Sequence, residues 1–325
     1  MSALCRTFVL SKAAKTVDPY CSRSASNRSV DLMTEIRFVF VDVFAPRPLT
    51  GNPVSLVSDA DDLDQQHAIA REFNQSETTF IVRPSMGGAD WQLRSFTPIG
   101  AEVLGAGHNA LGAWLWLAGS GRLPADRCRF VQQIGAELLP VRIDRSPGHP
   151  TRVSMDQTPP VFGDCVEDQA ELAAALGLGV GDLDGDRRAQ VVSTGAGHLL
   201  VPVRDRAAVD AAEPDRSRLA ALLRHVGGEG CYLYSLDPVD PSDAVAYTRF
   251  FNPTMGIHED PATGTAAGPL VARLVAESVL SDGCTAVVEQ GYQLGRPSHI
   301  QVSVSGDLVR ISGTGMAVAD GTLHV

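Results

Sequence analysis

Residues 36–44 carry an almost unbroken run of β-branched and aromatic side chains (Phe38, Val39, Phe40, Val41, Val43, Phe44), which predicts a strand. The prolines and glycine that follow predict a turn into a second strand at 53–57. Apolar positions then recur at helical spacing over Leu63–Phe73, and two short β-rich runs follow at Thr78–Val82 and Trp91–Phe96. The segment 110–118 is different in kind. It holds Leu111, Trp114, Leu115, Trp116 and Leu117 and has no polar side, so a helix there must be buried all round, which places it inside a strongly curved sheet.

The second half of the chain repeats this order. Thr50-Gly51-Asn52 before the strand at 53–57 matches Thr194-Gly195-Ala196 before the apolar run 199–203, and a helical then a strand pattern follows each. Phe96-Thr97-Pro98 returns as Phe251-Asn252-Pro253, and each leads through a glycine-containing loop into an apolar helix, the second expected at 266–280. Between the halves, Arg145-Ser-Pro-Gly-His-Pro150 reads as a linker. The expected fold class is α+β, with two pseudo-symmetric domains, each a β-barrel-like sheet wrapped around one central helix. Their expected bounds are 36–148, with 312–325 a candidate to complete that domain, and 149–311.

Composition narrows the function classes. The 325 residues suffice for about two domains at roughly 150 residues each. With 27 basic against 38 acidic residues, the net charge of −11 provides no basic field for nucleic acid or for a membrane surface. Lys12 and Lys15 are the only lysines, and the body beyond Met33 has none, which argues against a Schiff-base enzyme or a P-loop. The six cysteines are scattered without a C-x-x-C, the pattern of reduced cytoplasmic thiols and not of a zinc or redox site. No apolar run approaches the roughly 18 residues of a membrane span. Residues 1–35 mix serine with Lys and Arg and show no apolar period, so they are expected to be an unfolded leader, with Met33 the preferred start.

Three places are polar against the local pattern. Glu77 lies at the junction of a helix and an apolar strand, where desolvation would raise a carboxyl toward the pKa that general acid/base chemistry needs. Gly107 and His108 open the first buried helix, and Glu259-Asp260 through Thr265 open the second. Two facing helix starts would form a receptor for a small carboxylate. Each residue alone has a plainer reading, a surface glutamate for Glu77 and helix caps for Asp260 and Thr265. Gly105-x-Gly107-x-x-Ala110 matches a dinucleotide fingerprint but lacks the long strand before it. Asp182-x-Asp184-Gly-Asp186 hints at a calcium loop, yet Ser193 stands where the bidentate glutamate belongs.

Seven motifs in order carry a resemblance: Thr50-Gly-Asn-Pro-Val54, Ser76-Glu-Thr-Thr-Phe80, Phe96-Thr-Pro98, Ala106-Gly-His108, Phe251-x-Pro253, Glu259-Asp-Pro-Ala-Thr-Gly264 and Gln290-Gly-x-x-x-Gly-Arg-Pro-Ser298. Together they resemble the phenazine-biosynthesis isomerase family (PhzF-like) of the diaminopimelate-epimerase superfamily, over about residues 36–325. The resemblance implies a site in the cleft between two domains. It implies Glu77 as catalytic acid/base, His108 and Asp260 as assisting residues, and Gly107, Asn109, Gly264 and Thr265 as substrate-binding positions. In racemases of the superfamily two cysteines flank the substrate carbon; here Gly107 and Asp260 stand at the comparable places, so a two-thiol mechanism is excluded. Asn109 replaces the family's usual proline, and Thr265 replaces the serine of the phenazine enzyme. The function expected is a cofactor-independent isomerase, cytoplasmic and homodimeric. It would move a proton between carbons of a small carboxylic acid, with no metal, nucleic acid or membrane partner. A non-catalytic small-molecule-binding member of the fold and an NAD(P)-dependent oxidoreductase are the alternatives.

Overall fold

A computed structural model describes residues 34–58, 60 and 62–325. The expected leader lies almost entirely outside the described residues. The chain opens with β1 (Glu35–Val43), β2 (Asn52–Ser58), α1 (Leu63–Phe73), β3 (Thr78–Val82), β4 (Trp91–Phe96), β5 (Glu102–Val103) and α2 (His108–Gly119), then β6 (Arg129–Ile134), β7 (Glu137–Asp144) and β8 (Arg152–Gln157). Next come β9 (Val161–Cys165), α3 (Gln169–Ala175), β10 (Gln190–Ser193), β11 (Gly197–Pro202), α4 (Arg206–Ala211), α5 (Arg216–Val226), β12 (Gly230–Ser235) and β13 (Ala246–Asn252). It finishes with β14 (Ile257–Asp260), α6 (Gly264–Ala276), β15 (Thr285–Gln290), β16 (Ser298–Ser305), β17 (Leu308–Gly313) and β18 (Gly315–His324).

Strand pairing repeats across the chain. One run of neighbours is β18, β1, β2, β3, β4, β6, β7, β8. The other is β9, β10, β11, β12, β13, β15, β16, β17. Pair by pair they agree in sense: β2–β3 and β11–β12 are parallel, as are β4–β6 and β13–β15, and the remaining pairs are antiparallel. The short strands β5 and β14 flank β4 and β13. The two runs meet where β8 pairs antiparallel with β17, Met155 opposite Ile311. The first run also takes a strand from across the sequence, since β18 ends the chain yet pairs with β1.

Each run wraps one apolar helix. α2 packs against β1, β2, β3, β4, β8 and β18, and α6 against β10, β11, β16 and β17. Both helices feed a single apolar core that includes Leu111, Trp114, Leu270 and Val271. The indole N–H of Trp114, fully buried, donates to Gln132 Oε1 at 2.8 Å, satisfying the one polar atom that side chain brings inside. Strands β11 to β13 are buried on both faces, because α6 covers one side and the cluster under α3, α4 and α5 the other, so the polar residues they carry, such as His198, Thr248 and Arg249, are buried too. β16 faces its helix on one side only and alternates.

α2 begins at His108, with Gly107 its cap, as expected, so His108 and Asn109 lie in its first turn. Two sequence expectations change. α6 ends at Ala276 instead of 280: Ser278 takes a left-handed φ of 59° and the amides of Val279 and Leu280 turn back to the Leu274 carbonyl. Residues 145–150, expected as the linker between the halves, are the turn of a hairpin, because β7 and β8 pair directly on either side of them.

Candidate active site

The site is built from three loops that the two helix starts bring together. α1 stops at Asn74, whose φ of 50° is the left-handed cap a non-glycine tolerates best as Asn. Gln75, Ser76 and Glu77 then lead into β3, a central strand buried along its whole length. Glu77 therefore emerges at the end of an apolar strand beside the first residue of α2, and its Oε2 lies 2.9 Å from His108 Nε2. Ser76 Oγ sits 3.5 Å from the same nitrogen. Across the cleft, Asp260 closes β14. Its neighbour Glu259 is clamped by Arg249 through contacts of 3.0 and 2.8 Å, and the same guanidinium donates to the carbonyls of Val209, Asp210 and Ala212. With alternate residues of a strand facing opposite ways, this clamp turns Asp260 toward the helix starts.

Asp260 is held from both halves of the chain. Asn52 Nδ2 donates to Asp260 Oδ1 at 2.8 Å and to the Ala262 carbonyl at 2.9 Å. Asn52 reaches it because Gly51, at φ +70°, makes the turn into β2, where any Cβ would collide with the Val43 carbonyl. Thr263 Oγ1 donates to Asp260 Oδ2, and Gln290 Nε2 donates to the Asp260 carbonyl at 2.7 Å while its Oε1 accepts from the Thr263 amide.

The electrostatics assign protons. Burial raises the Glu77 carboxyl, but the charge and contact of His108 and the Ser76 hydroxyl outweigh it, so Glu77 titrates below its ordinary range. This reverses the expectation that desolvation would lift it. Burial lowers His108, and the charges of Glu77 and Asp260 overcome that and hold the ring above its ordinary value. The two directions agree on one resting state, a carboxylate at Glu77 and an imidazolium at His108. Asp260 goes the other way: burial, with the Glu77 charge added, pushes it up to about 6 against the opposing pull of His108, Thr263 and Asn52. Two carboxyl groups in one site are thus driven apart, the pattern that separates a base from an acid.

The four expected substrate-binding positions divide. The amide of Gly107, the cap of α2, donates to Asn109 Oδ1 at 2.8 Å, and Asn109 Nδ2 donates to Ser95 Oγ and the Gly105 carbonyl. Asn109 is buried, and its side chain and the Gly107 amide are hydrogen-bonded to each other and to the loop and strand beside them. Gly264 and Thr265 form the first turn of α6. Gly264 is glycine for packing: a Cβ would lie 3.0 Å from Ile311 Cδ1 and 3.3 Å from the Phe44 ring. Sequence reasoning assigned no role to Asn52, Ser76, Thr263 and Gln290, although each lies inside a quoted motif. It missed His198 altogether, whose signal was a lone histidine after Gly195-Ala196-Gly197 at the head of an apolar strand.

Comparison with known proteins supplies the context. Residues 41–321 match the family described as phenazine biosynthesis-like protein (PhzC-PhzF). A trans-2,3-dihydro-3-hydroxyanthranilate isomerase of Pseudomonas aeruginosa is 33% identical over 300 residues, covering 89% of this chain and 99% of that one. The crystal structure of a Bacillus anthracis phenazine biosynthesis protein of the PhzF family superposes with a TM-score of 0.83 at 28% identity, covering 90% of this chain and 100% of that one. A hydroxyproline epimerase from Agrobacterium vitis, at 14% identity and a TM-score of 0.61 over 90% of this chain and 93% of its own, shares the fold.

Proposed function

The chain belongs to the phenazine biosynthesis-like (PhzC-PhzF) family, and from that membership we propose that it is a cofactor-independent isomerase of a small unsaturated carboxylic acid. The observation that carries the reading is the Glu77–His108 ion pair beside a carboxyl raised to about 6, between two helix starts. Glu77, already a carboxylate, takes a proton from an activated C–H of the substrate. The electron pair left behind shifts the double bond, and Glu77 returns the proton to another carbon on the same face. One proton leaves and one comes back, so no net oxidation occurs and no redox partner is needed.

The negative charge that develops is stabilised by the His108 cation and by the first-turn amides, which in any helix lack partners within it. The free amides at the α6 start and the Thr265 hydroxyl bind the carboxylate. Asp260 positions the substrate or passes a proton to it. The relative's substrate, trans-2,3-dihydro-3-hydroxyanthranilate, belongs to this chemical class and is the first compound to assay.

Glu77→Gln keeps the side-chain volume but cannot accept a proton. Turnover should fall by roughly 10²-fold or more while the melting temperature stays close to wild type. In deuterium oxide the wild-type product should carry solvent label at the shuttled carbon with part of the original proton retained, because one carboxyl serving both carbons can return the same proton before it exchanges. A Glu77→Gln variant with near wild-type turnover would sink the mechanism.

A further inference from the structure

We propose that His198 is a positioning residue of this site: its neutral ring donates the Nε2 proton to Thr265 Oγ1 and so leaves the Thr265 hydroxyl hydrogen to be given to the carboxylate of the substrate. The inference deepens the isomerase reading and takes its ligand from it. His198 is the second residue of β11, 3% exposed, and lies beneath the start of α6. Its Nε2 is 3.2 Å from Thr265 Oγ1, and its ring stands edge-on to Phe250 with centroids 5.1 Å apart. Among the described residues His198 is the one hydrogen-bond partner of the Thr265 hydroxyl, and His198 Nδ1 is buried without any partner.

Burial pushes this ring down to about 4, so at neutral pH it carries a single N–H. Two arrangements are then open. If the proton sat on Nδ1, an N–H would be buried with nothing to receive it. If it sits on Nε2, the orphan at Nδ1 is only a lone pair. Buried orphan donors are rarer than under-satisfied acceptors, which selects the Nε2 proton. Thr265 oxygen is then the acceptor, and its own hydrogen has no protein partner.

The corresponding residue of the other helix behaves differently. Asn109 and Thr265 both stand two positions after the capping residues, Gly107 and Thr263. The Asn109 amide is satisfied within the protein on both its oxygen and its nitrogen. The two helix starts are therefore chemically unequal. The α2 end presents the charged partner of the base, and the α6 end presents a neutral hydroxyl with a hydrogen to donate.

The test has two arms. Long-range proton–nitrogen correlation spectra of histidine-labelled protein, with the signal assigned by its loss in His198→Gln, should show a neutral ring protonated on Nε2 at pH 7. The opposite tautomer, or a charged ring, overturns the inference. Steady-state kinetics on trans-2,3-dihydro-3-hydroxyanthranilate form the second arm. His198→Phe keeps the aromatic packing and should raise KM roughly 5- to 10-fold with kcat within about threefold, as the loss of one neutral hydrogen bond allows. Thr265→Ala should do the same, and the double variant should be no worse than Thr265→Ala alone. His198→Gln places an N–H where Nε2 stood and should recover to within about threefold of wild type.

Additive effects of His198→Phe and Thr265→Ala, a glutamine no better than phenylalanine, or a change in melting temperature with KM unmoved would each reject the role. A wild-type protein that does not turn over this compound counts against the functional reading and not against the tautomer, which the spectrum decides by itself.

Discussion

Asp260 is held in a state that costs the fold stability. Its folded pKa of about 6 lies above the ordinary 3.8, so the folded protein binds this proton more tightly than the unfolded chain does. Below pH 3.8 both states are protonated and nothing is lost. Between 3.8 and 6 the penalty grows, and above 6 it is present in full, on the order of 3 kcal/mol at about 1.4 kcal/mol per pKa unit. Asp260→Asn removes the charge while its oxygen can still accept from Asn52 and its amide can donate to Thr263. The variant should therefore unfold at higher denaturant than wild type at pH 8, with the gain shrinking toward pH 4, and should lose activity. A gain equal at both pH values would show that the effect is not titration of this carboxyl.

At the scale of elements, the β13–β14 hairpin sets the position of Asp260, and the Arg249 clamp sets the hairpin. The ion pair is nearly inaccessible, with side-chain exposures of 11% for Arg249 and 5% for Glu259. Arg249→Met would leave the Glu259 charge buried alone and three carbonyls without their donor. Such a loss costs about 3–5 kcal/mol, which would appear as a much lower urea midpoint. Adding Glu259→Gln should restore part of that stability, because the lone buried charge is gone and only the carbonyls stay unsatisfied. A double variant less stable than Arg249→Met would contradict this account. Asn109 shows the same economy in the first half: where the family resemblance led to an expectation of proline, an amide side chain ties Gly105, Gly107 and Ser95 together and fixes the start of α2.

For the whole molecule, a homodimer is the expected state. Among the described residues β9 pairs only with β10, and its Val161 and Phe162 are 66% and 42% exposed, an open edge of the kind proteins cover. Light scattering should give twice the 34.4 kDa chain mass, and Phe162→Lys should shift it toward the monomer. A wild-type mass near 34.4 kDa at micromolar concentration would reject the dimer. Local pattern by itself determined the strands at 78–82 and 91–96, the helix at 63–73, the two apolar helices and the repeated plan, because period and composition are properties of neighbouring residues. The motifs carrying Glu77, His108 and Asp260 were likewise legible as candidates. Only the tertiary structure decided the proton states: His108 lies 31 positions from Glu77 and Asp260 a further 152, so whether burial or an ion pair governs each carboxyl depends on distances no local pattern encodes. The same holds for Asn52 on Asp260 and His198 on Thr265. Each is a single contact across the fold, made by a polar residue whose own neighbourhood gives no sign of its partner.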